Sequence, residues 1–368
     1  MDPPSLERAL REHVERLHPG RTVLRLEPLG PDPGGAAAAG ATTKTAGYGQ
    51  PVRITLAPLA GGAPLELVWH VAGANEFGHD RRADRAASAI QAYDDFGVVA
   101  RHVAPVDLGV IDRAGGLHSL RDADELYLIT TYAPGTVYAD DLRRIAATGE
   151  LTGQDLARLD TLVAYLAALH VPLGAPGPRY RRAVRDLVGS GEGIFGIVDG
   201  FPPDVPGAPL PRLRAVEEAC ARWRWQLREH DDRLTRTHGD FHPFNLVFAG
   251  ATDLAVLDAS RGACGDPADD LCALAVNFVL FALGRPASWP TALGVLWRRW
   301  WNGYLARRAD PGVLAVAPPF FAWRALVVAN PRFYPHLDGP ARARLLALAT
   351  RFLDDGALVP AHAEELFR

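Results

Sequence analysis

The 368-residue sequence has one lysine, Lys44, one methionine and three cysteines. Its positive charge is carried almost wholly by arginine, and the formal net charge is −4. No basic stripe is present to track a phosphate backbone, so nucleic acid is not an expected partner. No polybasic segment is present either, so no membrane surface is expected. Cys220, Cys264 and Cys272 form no CxxC pair and are odd in number. That excludes a disulfide framework and a structural zinc site, and it fits a reducing cytoplasm. The opening "MDPPSLERALREH" has no apolar core, so no secretory signal is expected there. The longest apolar run, "LCALAVNFVLFALG" at 271–284, is short for a bilayer and reads as a buried helix. A coding bias toward Arg, Ala, Gly and Pro explains why lysine is rare. It does not explain where the one lysine sits.

What is present is enough apolar material for a large core, at 48% of residues. The length calls for two domains or one domain of two lobes. The first 18 residues read as a short helix, "LERALREHVERL". "TVLRLEPLG" (22–30), "PVRITLAPL" (51–59) and "LELVWHVA" (65–72) read as strands, with a "GGAP" turn joining the last two. "DRRADRAASAIQAYDDFG" (80–97) reads as a helix closed by Gly97. "HVAPVDLGVI" and "ELYLITTYAPG" read as two further strands. After Gly135 the character changes. "LTGQDLARLDTLVAYLAALH" carries a helical apolar stripe at 156, 159, 162, 163, 166 and 169. Thr152 and Asp155 form a capping-box pattern at its start. The Gly/Pro-rich stretch 178–206 reads as a long loop or lid, another helix follows near 211–230, and nearly everything from 271 onward is helical. The fold class is α+β: a small antiparallel-sheet lobe over 1–132 and a large, mostly helical lobe over 133–368.

The stretch with chemistry in it is "THGDFHPFNLVFAGATDLAVLDAS", 237–260. A polar, turn-like segment is followed by two short strands around "AGAT". Such a hairpin brings Asn245 near Asp258, with Asp240 on the preceding loop. Two carboxylates and an amide oxygen are hard ligands suited to magnesium, with one carboxylate left over to act as a base. Phosphoryl transfer needs that set: one Asp to hold the acceptor hydroxyl, and an Asn and a second Asp to hold Mg²⁺ against nucleotide phosphates.

"HGDFHPFN", "VLDAS" and "GDPADDL", in this order over 238–271, resemble the aminoglycoside phosphotransferase and choline kinase-like family of small-molecule kinases. The resemblance implies a two-lobed, protein-kinase-like fold over about 20–350. It implies Asp240 as catalytic base and His238 as a brace of the catalytic loop. It implies Asn245 and Asp258 as magnesium ligands, and Asp270 as either a helix cap or a support for that loop. The cofactors implied are ATP, or another nucleoside triphosphate, and Mg. His242 reads as an ordinary loop histidine. The hinge between lobes falls in "LITTYAPG", where backbone groups of Thr131, Tyr132 and Ala133 would meet the adenine edge.

The sequence departs from the family in its phosphate grip, and Ala259 stands where many relatives carry an aromatic residue. The third strand should carry a phosphate-binding lysine, and its position holds His70. The following helix holds no Glu to pair with it, and Asp84 is the best-placed carboxylate. One reading is a working kinase with a rearranged grip. Lys44 then sits in the loop that covers the phosphates, with Gly47 and Gly49 allowing close backbone approach, and His70 gives a second contact. In the same reading Lys44 can equally be a solvated loop residue. The other reading is a pseudokinase that binds nucleotide without turnover. Intact Asp240, Asn245 and Asp258 weigh against it. Arg81, Arg82 and Arg85 face either phosphate or solvent.

The expected activity is transfer of a γ-phosphate to a hydroxyl of a small polar metabolite, sugar or antibiotic. The run "RYRRAVR" and the mild net charge do not call for the acidic pocket that an aminoglycoside would want. A protein acceptor is disfavoured because no activation segment separates Asp258 from "GDPADDL". If Lys44 grips phosphate, Lys44→Ala raises the ATP KM or lowers kcat at least tenfold, about 1.4 kcal/mol. Steady-state kinetics check this, and unchanged constants would remove the role.

Overall fold

A computed structural model describes residues 3–29, 51–259 and 261–368. Lys44, Gly47 and Gly49 lie outside the described residues. The chain divides into two compact units, 1–130 and 131–368.

The first unit opens with α1 (Pro3–Leu17), then β1 (Val23–Pro28), β2 (Val52–Leu56) and β3 (Leu65–Trp69). The strands form an antiparallel sheet in the order β1-β2-β3, with Ile54 opposite both Leu26 and Leu67. Period-two alternation turns Ile54 and Leu56 inward. There they meet Leu10 and Val14, which share one face of α1. The Glu15 carboxylate accepts the Val23 N–H at 2.8 Å, fixing how the chain leaves α1 for β1. Next come α2 (Arg82–Phe96) and the hairpin β4 (Gly109–Ile111) with β5 (Leu117–Ser119). Asp112 holds that hairpin's turn by accepting the N–H groups of Ala114 and Gly116.

Two of the expected strands are corrected here. Within "HVAPVDLGVI" only the last three residues pair, because Pro105 has no N–H to give a ladder. "ELYLITTYAPG" is not a strand at all. It is irregular chain with no ladder partner among the described residues, and Tyr127 is 87% exposed. Alternation of apolar residues fits a pleat, but a strand exists only when its N–H and C=O groups are paired.

The second unit has a small sheet, β6 (Thr136–Val137), β7 (Leu246–Phe248) and β8 (Leu254–Val256), in antiparallel order β6-β7-β8. The rest is helical: α3 (Tyr138–Thr148), α4 (Gly153–Leu169), α5 (Pro176–Gly189), α6 (Ile194–Asp199) and α7 (Leu210–Leu227) precede the sheet's hairpin. α8 (Pro267–Gly284), α9 (Gly294–Arg308), α10 (Gly312–Val316), α11 (Pro318–Ala329), α12 (Gly339–Asp355) and α13 (Ala361–Glu365) follow it. The Thr152–Asp155 capping box is formed, and Leu159, Leu162, Val163 and Leu166 of α4 are buried. The expected loop at 178–206 is a further correction, since α5 and α6 occupy most of it. Pro202, Pro203 and Pro206 lie past α6, and Pro176 and Pro178 stand in the first turn of α5, where no N–H is needed. Behind them Tyr180, Val184, Leu187 and Val188 make a buried helical face.

α8 is the central rod of this unit, buried along nearly its whole length. Among the described residues it is the one helix long and apolar enough to cross a membrane, and 78% of it is buried inside the protein. Arg158 of α4 aligns the β7–β8 hairpin, donating to the Gly250 carbonyl at 3.1 Å and lying over the Phe248 ring. Gly135 enters β6 at φ +139, where an added Cβ would sit 2.5 Å from the Phe248 carbonyl oxygen. Gly135→Ala is therefore expected to cost roughly 1–3 kcal/mol. Urea unfolding should show a lower midpoint at unchanged slope.

Candidate active site

The loop 237–245 is hung from the backbone on one side and from a buried carboxylate on the other. Thr235 and Gly265 exchange backbone hydrogen bonds at 2.9 and 3.0 Å, and Arg236 donates to Val171. Asp270, in the first turn of α8, accepts the N–H of His238 at 2.7 Å and of Gly239 at 2.8 Å. The His170 ring, at the end of α4, stands 3.1 Å from the same carboxylate through Nε2. A carboxylate can only accept, so Nε2 carries the hydrogen, and Nδ1 faces the Tyr304 hydroxyl at 2.7 Å. Gly239 lies at φ +84, and a Cβ there would press on the Gly262 carbonyl at 3.0 Å. Phe241 pins the loop from below, stacked between Tyr165 and Trp300.

Asp240 emerges from this loop with its side chain 14% exposed. Its Oδ1 accepts Nη1 of Arg324 at 2.5 Å, and Nε of Arg261 stands 3.9 Å away. Its Oδ2 faces Nε2 of His242 at 3.5 Å. The Nδ1 atom of that ring accepts the Phe244 N–H, so the hydrogen lies on Nε2 and points at Asp240. His242 is thus more than the ordinary loop histidine the sequence indicated. Burial works to raise the Asp240 pKa, but the His242 imidazole and the Arg324 guanidinium outweigh it and hold the carboxyl well below the usual range. A depressed carboxyl contributes its stability above the unfolded value of about 3.9 and loses it only as pH falls through the folded value. The carboxylate therefore stays ionised and paired throughout the neutral range.

Burial lowers the pKa of His238, against the opposing pull of Asp270, Asp240 and the Leu257 backbone. It is a neutral ring whose Nδ1 accepts the Asp240 N–H at 3.3 Å.

Asn245 ends the short 3₁₀ turn Pro243–Asn245, and its carbonyl accepts the Leu257 N–H at 2.9 Å. That bond carries the β7–β8 register one step past Leu246 opposite Val256, setting Asn245 opposite Leu257, the residue before Asp258. Asn245 Nδ2 donates to the Asp240 carbonyl at 3.0 Å, which leaves its Oδ1 free to act as a ligand. Asp258 is exposed, stands at φ 54, and has no ion pair or hydrogen bond among the described residues. The left-handed region is costly for a residue with a Cβ, though less so for Asp. Two hard oxygen donors without other partners fit magnesium. No group of three His, Cys, Asp or Glu suited to a metal occurs among the described residues. The protein would therefore supply two ligands, leaving the others to phosphate and water.

In the first unit, His70 is exposed just past β3. It lines a cavity of about 560 Å³ whose walls also carry His13, Trp69, Tyr93 and His118. Asp84 accepts the Arg81 N–H at 3.0 Å at the start of α2, and His70 has no ion pair among the described residues. Thr131, Tyr132 and Ala133 begin the second unit as irregular chain.

Arg324, Arg261, Asp269 and His170 were not picked out from the sequence. Arg324 did leave a signal there: it is the lone charge in the otherwise apolar helix "PPFFAWRALVVA", and a buried charge needs a partner.

No family model and no curated protein matches the chain. Solved structures similar to it include a glucosamine kinase in complex with glucosamine, ADP and inorganic phosphate (21% identity, 62% of this chain, TM-score 0.38), and the chain spans 61% of that kinase's length. A choline kinase from Streptococcus pneumoniae (13% identity, TM-score 0.31) aligns over 95% of this chain and 99% of its own. A macrolide 2'-phosphotransferase from Brachybacterium faecium (18% identity, TM-score 0.27) aligns over 99% and 97%. These neighbours are kinases and phosphotransferases of small molecules.

Asp270→Asn turns one accepting oxygen into a donor against the loop's own N–H groups. The expected cost is roughly 2–4 kcal/mol, seen as a drop of several degrees in melting temperature. An unchanged melt would remove Asp270 as the loop's tether.

Proposed function

We propose that this chain is an ATP- and magnesium-dependent small-molecule phosphotransferase of the protein-kinase-like fold, with Asp240 receiving the acceptor hydroxyl. The observation that supports it most is the hairpin register that sets Asn245 opposite Leu257, one residue before Asp258, while the Asn245 amide is bonded to the Asp240 backbone. One local piece of chain thus carries both the base and the ligand pair.

In the reaction, the acceptor oxygen bonds to the γ-phosphorus, the bond to the β,γ-bridging oxygen breaks, and ADP leaves. The hydroxyl proton passes to Asp240. A carboxylate with a depressed pKa is a weak base, so its main work is to orient the hydroxyl, and it takes the proton late, once bond formation has acidified the alcohol. Magnesium, held by Asn245 Oδ1 and Asp258, would neutralise charge on the phosphate oxygens when bound. Asp270 and His170 keep the loop in register. The same reading keeps Lys44, Gly47, Gly49, His70 and the backbone of Thr131, Tyr132 and Ala133 as nucleotide contacts. It also places the protein in the cytoplasm, in keeping with three unpaired cysteines. The acceptor is a hydroxyl on a polar metabolite, sugar or antibiotic.

The test is ATP turnover with Mg²⁺ over a panel of sugars, amino sugars, amino alcohols and macrolides. Asp240→Asn is expected to lower kcat at least 100-fold while nucleotide binding, followed by calorimetry, persists. Nucleotide binding with no turnover for any acceptor would favour a binding protein over an enzyme.

A further inference from the structure

Arg324 lies in the middle of α11, with its side chain 6% exposed and its guanidinium over the Trp323 ring at 3.9 Å. It makes three separate bonds. Nη1 donates to Asp240 Oδ1 at 2.5 Å, and Nη2 donates to the Gly239 carbonyl at 2.9 Å and to Asp269 Oδ1 at 2.8 Å. One planar group thus holds the backbone of the candidate catalytic loop, the carboxylate that the loop presents, and a second carboxylate on α8. A guanidinium can span such a set because its donors are fixed in a fork, whereas an ammonium is a single point of charge.

We propose that Arg324 is a positioning residue for phosphoryl transfer: by taking Oδ1 of Asp240 it leaves Oδ2 as the oxygen that meets the acceptor hydroxyl, and Asp269 holds it in that place. This rests on the reading of Asp240 as the acceptor's partner. The other groups facing Asp240 cannot replace it. Arg261 is 3.9 Å away and is engaged with Glu192, both at the backbone carbonyl and at the carboxylate. His242 faces Oδ2, the opposite oxygen, and the His238 ring is taken up with the Asp240 N–H. Without Arg324 the carboxylate keeps only the 3.5 Å approach of His242 to Oδ2 and the 3.9 Å approach of Arg261 to Oδ1, and it is held less firmly toward the acceptor. Asp269 is the outer tether. Its side chain is 20% exposed, and burial pushes its pKa up to about 6 against the pull of Arg324.

The experiment is a kinetic double-variant cycle with Arg324→Gln, Asp240→Asn and the pair, together with Arg324→Lys and Asp269→Asn. Positioning predicts that Arg324→Gln lowers kcat about 10- to 100-fold with the ATP and acceptor KM values within about twofold. Arg324→Lys should recover part of kcat, because one donor and the charge return. Asp269→Asn, which leaves every contact of Asp240 in place, should give a smaller loss of kcat alone. In the Asp240→Asn background, Arg324→Gln should change the residual rate by less than twofold, because its effect runs through the carboxylate. A multiplicative loss in the double variant, or KM values that rise with no fall in kcat, would overturn the proposal. The same cycle read by thermal melting needs no acceptor. There the double variant should melt no lower than the poorer single variant, and additive losses would overturn it. An unaltered chain that turns over no acceptor would instead sink the phosphotransferase reading, with the melting cycle still deciding whether Arg324 and Asp240 act as one unit.

Discussion

The second unit depends on a buried carboxylate being fully bonded. Asp270 is out of contact with water, and a lone ionised group there would cost several kcal/mol. It is stable because two backbone N–H groups and one imidazole converge on it. The need runs both ways. The loop's N–H groups at His238 and Gly239 face inward and must find an acceptor, and the helix start at α8 favours negative charge. One interaction thus settles where the loop crosses, how it is tilted, and which way Asp240 and Asn245 leave it.

Around it, two arginines each hold a pair of carboxylates: Arg233 pairs with Asp266 and Asp310, and Arg324 with Asp240 and Asp269. Asp266 is paired with Arg233 and accepts the Tyr180 hydroxyl. Asp269 has Arg324, which also serves Asp240. Asp258 stands apart from this pattern, exposed and with no partner among the described residues.

What could be read in the sequence was local. The hairpin over 246–256 and the short turn before it are decided by neighbours a few residues apart, so the strands on either side of "AGAT" could be anticipated. The capping box at Thr152 and the buried stripe of α4 were legible for the same reason. Three things were not. The strand expected in "ELYLITTYAPG" fails because pairing is non-local and alternation alone cannot supply a partner. The helices α5 and α6 were hidden by glycine and proline, which gather mostly at the helix ends and between the helices while their number suggests a loop. Arg324 sits 84 residues from Asp240 in sequence, and only packing of α11 against α8 brings the two together. A solitary charge in an apolar helix says that a partner exists, but not which one.

The first turn of α8 has a further meaning. Asp266, Asp269 and Asp270 lie within one turn, yet their bonds reach α5, α11, the end of α4 and the candidate catalytic loop. No one of those elements can let go alone without stranding a charge in the interior. Local opening of the loop is therefore tied to opening of the helical core, and the N–H groups of His238 and Gly239 belong with the slowest-exchanging amides of the unit. A loop that elsewhere would be a flexible connector is here as permanent as the core that carries it.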